Sequence, residues 1–277
     1  MTHKLKTLIQ NLKQYEKIVI CFSGGVDSSL LAAVAKKSCD SVVAITAQTE
    51  FQSRHEVENA ACMARSIGVR HVVVRVSLLE DLRIVQNTDR RCYFCKKAIV
   101  SFIREKASEL GFESVAHGAN LDDLADYRPG FEATREMRII APLIDAGLTK
   151  VEIRELSKEV GLETWNLEAQ SCLATRIHYG DIITPGKLAM VEAGETLLRS
   201  LGFTGVRVRI HGHGQVARIE LGCQSGTRDS GMNHQMENLI QEKNCKEVVL
   251  GFKKIGFKYV SLDLEGYVMG SMNRSLV

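Results

Sequence analysis

No stretch of the 277 residues holds the roughly 20 consecutive apolar side chains that a membrane-spanning helix needs. The opening MTHKLKTLIQNLKQYEK keeps interrupting its apolar residues with Lys, Gln and Asn. That pattern suits an amphipathic helix rather than a secretory leader, and a cytoplasmic location is the expectation. Charge of one sign is scarce as well: 36 Lys and Arg against 33 Asp and Glu leave a net of +3. So small a surplus excludes capture of a polyanion by bulk electrostatics, and no nucleic-acid partner is expected without a local basic patch. No internal repeat and no low-complexity segment occurs, so a repeat architecture is excluded.

The chain is not poor in cysteine: Cys21, Cys39, Cys62, Cys92, Cys95, Cys172, Cys223 and Cys245. A disulfide framework does not fit a cytosolic chain of this size. Cys21 lies in a strand-like run, and Cys39 and Cys62 lie in or just after helical patterns, where thiols act as small buried hydrophobes. Cys92, Cys95 and Cys172 have different surroundings.

The first part alternates strands and helices. Ile18–Phe22, Val42–Thr46 and His71–Val76 are β-branched runs. Helical stretches are expected near Ser28–Lys37 and Ser53–Ile67, then at Lys96–Leu110, ahead of a strand at Ser114–His117. This is the α/β signature of a parallel sheet covered on both faces. Ligands of such sheets bind at the carboxyl ends of the strands. A helix capped by Thr149 follows over Lys150–Val160, and Gly161–Thr184 has no clear period. After a helix near Lys187–Leu201 the pattern changes to two alternating strands, further helices and a last strand at Lys258–Leu264. The expected domains are residues 1–165, a parallel-sheet α/β domain, and residues 166–277, a smaller α+β domain.

The most specific feature is Ser23-Gly24-Gly25-Val26-Asp27-Ser28-Ser29, directly after the first strand and opening a helix. Glycines let the backbone approach an anion, successive N–H groups form a nest, and the helix N-terminus adds partial positive charge. Ser23, Ser28 and Ser29 add hydroxyl donors. No Lys follows the glycines as it does in Walker-type loops. Asp27 stands there instead, a carboxylate suited to Mg2+ beside phosphates. The loop resembles the SGGxDS loop of PP-loop pyrophosphatases, which split ATP into AMP and pyrophosphate. His117-Gly118-Ala119-Asn120-Leu121-Asp122-Asp123 follows another strand end. Gly118, Asn120 and Asp123 are candidates to orient ribose or Mg2+, and the acids are equally good helix caps.

Cys92-Tyr93-Phe94-Cys95 lies among Arg90, Arg91, Lys96 and Lys97. Cationic neighbours favour thiolates, and the CxxC spacing lets two sulfurs reach one metal or cluster, or form a redox pair. Cys172, in SCLATR, is a third candidate. Three thiols fall short of a closed structural zinc site but suit an open zinc site, or an iron–sulfur cluster with one iron free of protein ligands. In Val206–His211 strict alternation puts Arg207, Arg209 and His211 on one face, and Arg218 and Glu220 share a face of the next strand. Arg suits bidentate recognition of phosphate or carboxylate, and the plain alternative is a solvated face with Arg–Glu pairs.

The PP-loop, HGANLDD, DYRPGFEATRE, APLIDAGLTKVEIRELSKEVGL, SCLATRIHYG, the RVRIHG and ARIE strands and LDLEGYVMGSMN together resemble the LarE family over nearly the whole chain. Val268 stands where the family pattern leads one to expect Arg. The resemblance implies an ATP-dependent sulfur transferase that adenylates the carboxylate of a small nucleotide and makes the thiocarboxylates of the nickel-pincer cofactor. One class of the family sacrifices the sulfur of a Cys at the position of Cys172. The CxxC aligns this chain with the other class, in which three Cys, here Cys92, Cys95 and Cys172, hold a 4Fe-4S cluster that carries sulfide from a donor. The same resemblance implies substrate contacts at Arg207 and Arg209, to which Arg176 is added, catalytic roles for Cys172 and Asp27, ATP with Mg2+ as cofactors, and a homo-oligomer. Rival readings are a PP-loop tRNA thiolase, an ammonia-using PP-loop ligase and a non-catalytic ATP- and cluster-binding sensor.

Overall fold

The computed structural model describes residues 2–124, 129–167, 171–222 and 228–268. The chain divides into two units, Met1–Leu78 with Arg90–Gln170, and Leu79–Asp89 with Ser171–Val277. The division thus falls a few residues beyond 165, and residues 79–89, which carry no separate signal in the sequence, belong with the C-terminal part.

In the first unit helix α1 (His3–Leu12) opens with Thr2 as N-cap, its hydroxyl accepting from Leu5 N at 3.3 Å. Its Leu5, Leu8 and Leu12 are buried, an apolar stripe at helical spacing, so the expected amphipathic helix is present. Strand β1 (Lys17–Cys21) leads to α2 (Val26–Ser38), β2 (Ser41–Gln48), α3 (Arg54–Ile67) and β3 (Arg70–Arg75). The chain passes through α4 (Leu82–Val85), which belongs to the second unit, into α5 (Arg91–Glu109) and β4 (Ser114–Ala116). Helices α6 (Pro129–Glu136), α7 (Pro142–Asp145) and α8 (Lys150–Glu159) complete the unit. The sheet is wholly parallel in the order β3-β2-β1-β4. Ile18, Val19 and Ile20 of β1 have no exposed surface, as a strand covered on both faces requires.

The helix boundaries follow their caps. Ser53 accepts from Glu56 N at 3.3 Å, and Gly68 closes α3 in the left-handed conformation at φ +73. Thr149 and Glu152 form a capping box at the start of α8. Helix α5 starts at Arg91 rather than near Lys96, so the CYFC run is its first turn and not a loop before it.

The second unit is built on α9 (Pro185–Ser200), with Pro185 in its first turn and Thr184 as cap. Strands β5 (Arg207–His211) and β6 (Val216–Glu220) pair antiparallel as a hairpin. Helices α10 (Arg228–Ile240) and α11 (Glu242–Ile255) return the chain to β7 (Tyr259–Leu262), parallel to β6 in the order β5-β6-β7. Leu198, Phe203, Val208, Phe252 and Phe257 form its core. Gly194 of α9 makes room for it: a Cβ there would stand 3.2 Å from the Phe252 ring. The 79–89 segment is fastened by Asn87, fully buried at φ 54, whose amide donates to the carbonyls of Ile177, His178 and Asp181.

Candidate active site

Strand β1 is flanked by β2 on one side and by β4 on the other, so the direction of strand succession reverses between β1 and β4. Ligand crevices of open parallel sheets form at that point, outside the carboxyl ends. There a cavity of about 480 Å³ is lined by Ser23, Asp27 and Ser28 after β1 and by His117, Gly118 and Asp123 after β4. Lys96, from the second turn of α5, forms another part of the wall.

The loop after β1 is tightly folded. Gly24 sits at φ +74, and a Cβ there would stand 2.7 Å from the Ala60 Cα, so only glycine lets α3 pass this close. Gly25 is the N-cap of α2 and supplies no side chain to its first amides. Those N–H groups and the helix dipole are thus left for an anion. The Ser28 hydroxyl lies 3.2 Å from the Ser23 hydroxyl and donates to Gly25 O at 3.2 Å. Ser29 is fully buried and its Oγ has no hydrogen-bond partner, so its hydroxyl stands apart from the cavity wall.

Gly118 joins the two loops. A Cβ there would meet Ser28 N at 2.9 Å and the Asp27 carbonyl carbon at 3.1 Å. Asn120, buried behind the wall, donates its amide to Asp27 Oδ1 at 3.2 Å, while its backbone N–H goes to Asp123 Oδ2 at 3.0 Å. Asp122 accepts from the backbone N–H of Lys150 at 2.8 Å, and the Lys150 ammonium pairs with Asp27 Oδ2. The expected acids and Asn are therefore gathered in one network, closed by a lysine that the sequence reading passed over. A Lys at the first position of a helix opposes the macrodipole, and here the Asp27 carboxylate offsets that cost. His117 is buried against the cavity; desolvation, then the nearby Lys96 charge, draws its pKa down to about 3, so the imidazole is neutral. Burial pushes the Cys21 thiol on the same wall up to about 11, which leaves it an inert thiol.

Cys92 and Cys95 share one side of the first turn of α5, both half-buried, with an Arg91 Nη2 donor 3.6 Å from the Cys92 sulfur. This turn is clamped to α6: Arg90 pairs with Glu132 at 2.6 Å, and Tyr93 donates to Glu136 at 2.6 Å. Among the described residues no three His, Cys, Asp or Glu side chains gather as a metal site. Cys172 belongs to the second unit, half-buried as the N-cap of a short 3-10 turn over Leu173–Arg176.

In the second unit Arg176, Arg207 and Arg209 are all buried, so the solvated face weighed for the arginine strand is not what forms. Arg176 pairs with Glu195 at 2.8 Å and donates to Ser171 O, Cys172 O and Thr175 Oγ1, bracing the turn that carries Cys172. Arg209 pairs with Glu220 at 2.8 Å and donates to Thr175 O, although its buried Nε has no partner. Burial and the neighbouring Arg176 charge lower the Arg207 pKa, and its guanidinium lies over the Tyr267 ring at 5.1 Å. The buried Arg176 and Arg209 guanidiniums are thus each paired with a buried carboxylate, as buried charges require. His213, which sequence left without a role, occupies the β5–β6 turn at φ 54, with Nδ1 3.4 Å from Asp181.

The model of the queuosine biosynthesis protein QueC family matches residues 17–98, the stretch from β1 into the start of α5. An uncharacterised Synechocystis protein is 38% identical over 98% of this chain and 99% of its own length. The pyridinium-3,5-bisthiocarboxylic acid mononucleotide synthase of Lactiplantibacillus plantarum is 34% identical over 99% of this chain and 95% of its own. The tRNA-specific 2-thiouridylase MnmA of Brucella suis is 25% identical over 67% of this chain and 58% of its own length. None of the helices among the described residues is long and apolar enough to cross a membrane. With a parallel sheet, a PP-loop at its switch point and a synthase of this kind similar from end to end, the chain belongs to the LarE family of PP-loop proteins.

Proposed function

We propose that the protein is an ATP-dependent sulfur transferase that converts a carboxylate of a pyridinium mononucleotide into a thiocarboxylate. The observation that carries this reading is the cavity at the β1–β4 switch point, where an uncapped helix start, two serine hydroxyls and Asp27 converge. Full-length similarity to the bisthiocarboxylic acid mononucleotide synthase supplies the substrate class. The Ser23–Ser29 loop would take the phosphates of ATP, and Asp27 with Asp123 would hold Mg2+, which when bound would neutralise phosphate charge. A substrate carboxylate oxygen attacks the α-phosphorus and pyrophosphate leaves. Backbone donors stabilise the charge that develops on phosphorus. The carboxylate oxygen, a poor leaving group, has become AMP. Sulfide then adds to the acyl carbon, the C–O bond breaks, and AMP departs with its electron pair. Arg207 and Arg209 hold the substrate's phosphate and carboxylate, and Arg176 contributes its field and steadies the Cys172 turn.

What supports a 4Fe-4S cluster is the chemistry of the donors: two half-buried thiols at the start of α5 beside Arg91 and a half-buried thiol at the Leu173–Arg176 turn are soft ligands of the kind iron–sulfur sites use. Cys92, Cys95 and Cys172 would hold it, and when bound it would supply a carrier for transferable sulfide. The test is anaerobic incubation with ATP, Mg2+, sulfide and pyridinium-3,5-dicarboxylic acid mononucleotide, following pyrophosphate and the mass of the product. Thiocarboxylate formation is expected, and Cys172→Ala is expected to lose it while still releasing pyrophosphate. Four irons per chain, lost in each cysteine variant, are expected after reconstitution. Absence of pyrophosphate refutes the ATP reading; pyrophosphate without thiocarboxylate refutes sulfur transfer; iron-free protein that still makes thiocarboxylate refutes the cluster.

A further inference from the structure

Lys150 carries two separate ties into the nucleotide loops. Its backbone N–H is held by Asp122 at 2.8 Å, and its ammonium pairs with Asp27 Oδ2. The other oxygen of Asp27 takes the Asn120 amide at 3.2 Å, so the orientation of this carboxylate is set from both sides. The pair is only partly exposed, 31% for the lysine side chain and 21% for the aspartate, so solvent screens it incompletely. Asp27, Asp122 and Asp123 lie in one short network, and the Lys150 ammonium enters it at Asp27. A polyphosphate approaching three carboxylates meets repulsion that this ammonium offsets, while a divalent cation approaching Asp27 meets a charge of its own sign already seated there.

We propose that Lys150 is a built-in counter-cation of Asp27 that shares the carboxylate with the divalent cation, so that metal binding is won against it. This rests on the ATP reading above. Lys150 is a positioning residue: it acts through Asp27, and its effect on nucleotide and on metal has opposite signs. Removing its charge weakens the binding of metal-free ATP and tightens the hold on Mg2+, because both interactions are coulombic and only the sign of the partner differs. A residue that merely braced the fold would weaken both.

The test uses the full chain, with Lys150→Met and Lys150→Arg compared to wild type. Equilibrium dialysis in EDTA measures the Kd for ATP, and pyrophosphate release against Mg2+ at saturating ATP gives the half-saturating metal concentration. Lys150→Met is expected to raise the metal-free Kd for ATP several-fold and lower the half-saturating Mg2+ about tenfold. Lys150→Arg is expected to stay near wild type in both. An unchanged or higher Mg2+ requirement in Lys150→Met overturns the inference, and a thermal melt of each variant shows whether folding was disturbed. Should wild type bind no ATP even with Mg2+, the nucleotide reading falls and this inference with it. Should wild type bind ATP and Lys150→Met shift both constants upward, only the counter-cation role falls.

Discussion

Replacing Gly118 by Ala tests whether the two loops at the β1–β4 switch point act as one surface. The new Cβ would stand 2.9 Å from Ser28 N, 3.1 Å from the Asp27 carbonyl carbon and 3.2 Å from the Asp27 Cβ. Ordinary contact begins at 3.4 Å, so about 0.5 Å of separation is needed (3.4 minus 2.9). No flexible side-chain end can absorb it, since the nearest atoms are backbone. Overpacking of this kind costs about 1–3 kcal/mol. For a chain of this size that lowers Tm by roughly 2–4 °C per kcal/mol. The effect on catalysis should be larger, because about 1 Å of misplacement costs roughly 100-fold and half of that about tenfold. Pyrophosphate release from ATP is the assay, beside a thermal melt. Gly147→Ala is the control, a glycine at φ +66 with open space around it, which adds backbone strain without moving either loop. A Gly118→Ala protein that releases pyrophosphate at the wild-type rate would refute the claim that these loops position each other.

Two further outcomes follow from the same contacts. Arg176→Met removes the nearest cation of the buried Glu195 carboxylate, which keeps Arg199 at 3.5 Å and the Val208 N–H at 3.2 Å, and should cost about 1–3 kcal/mol in urea unfolding, with partial recovery in the Arg176→Met, Glu195→Met double variant; additive losses would show that the pair is not coupled. His117 has a folded pKa of about 3 against an ordinary imidazole value of 6.5, so its contribution is complete above pH 6.5 and is lost as pH falls toward 3, where the unfolded chain takes up the extra proton. Between those limits it should add a slope of about 1.4 kcal/mol per pH unit, which His117→Asn removes; an unaltered slope in urea titrations would contradict its burial as a neutral ring.

The parallel sheet was legible because its strands are short β-branched runs, and the nucleotide loop because Ser23–Ser29 follows one of them into a helix. Thr149 announced α8 by its own capping chemistry. The start of α5 was not legible: Arg90 offers no side-chain cap, and aromatic and cysteine residues read poorly as a helical first turn. Period two placed Arg207 and Arg209 on one face correctly but says nothing of what covers that face, and their burial beside Glu195 and Glu220 is at odds with the alternative of a solvated face. Lys150 was missed because its partner lies 123 residues away, and no local pattern encodes such a pairing.

The membership of residues 79–89 in the C-terminal unit sets an order of events during synthesis. When Asn87 leaves the ribosome, the carbonyls of Ile177, His178 and Asp181 that will receive its amide have not yet been made. The N-terminal sheet can close while this segment waits as an unpaired tether, because β1 to β4 and α8 all precede residue 171. The second unit therefore has no contiguous genetic boundary. A fragment beginning at Ser171 would lack Asn87 and leave those three carbonyls short of a donor, so its excision calls for residues 79–89 to be supplied in trans or joined by a new linker.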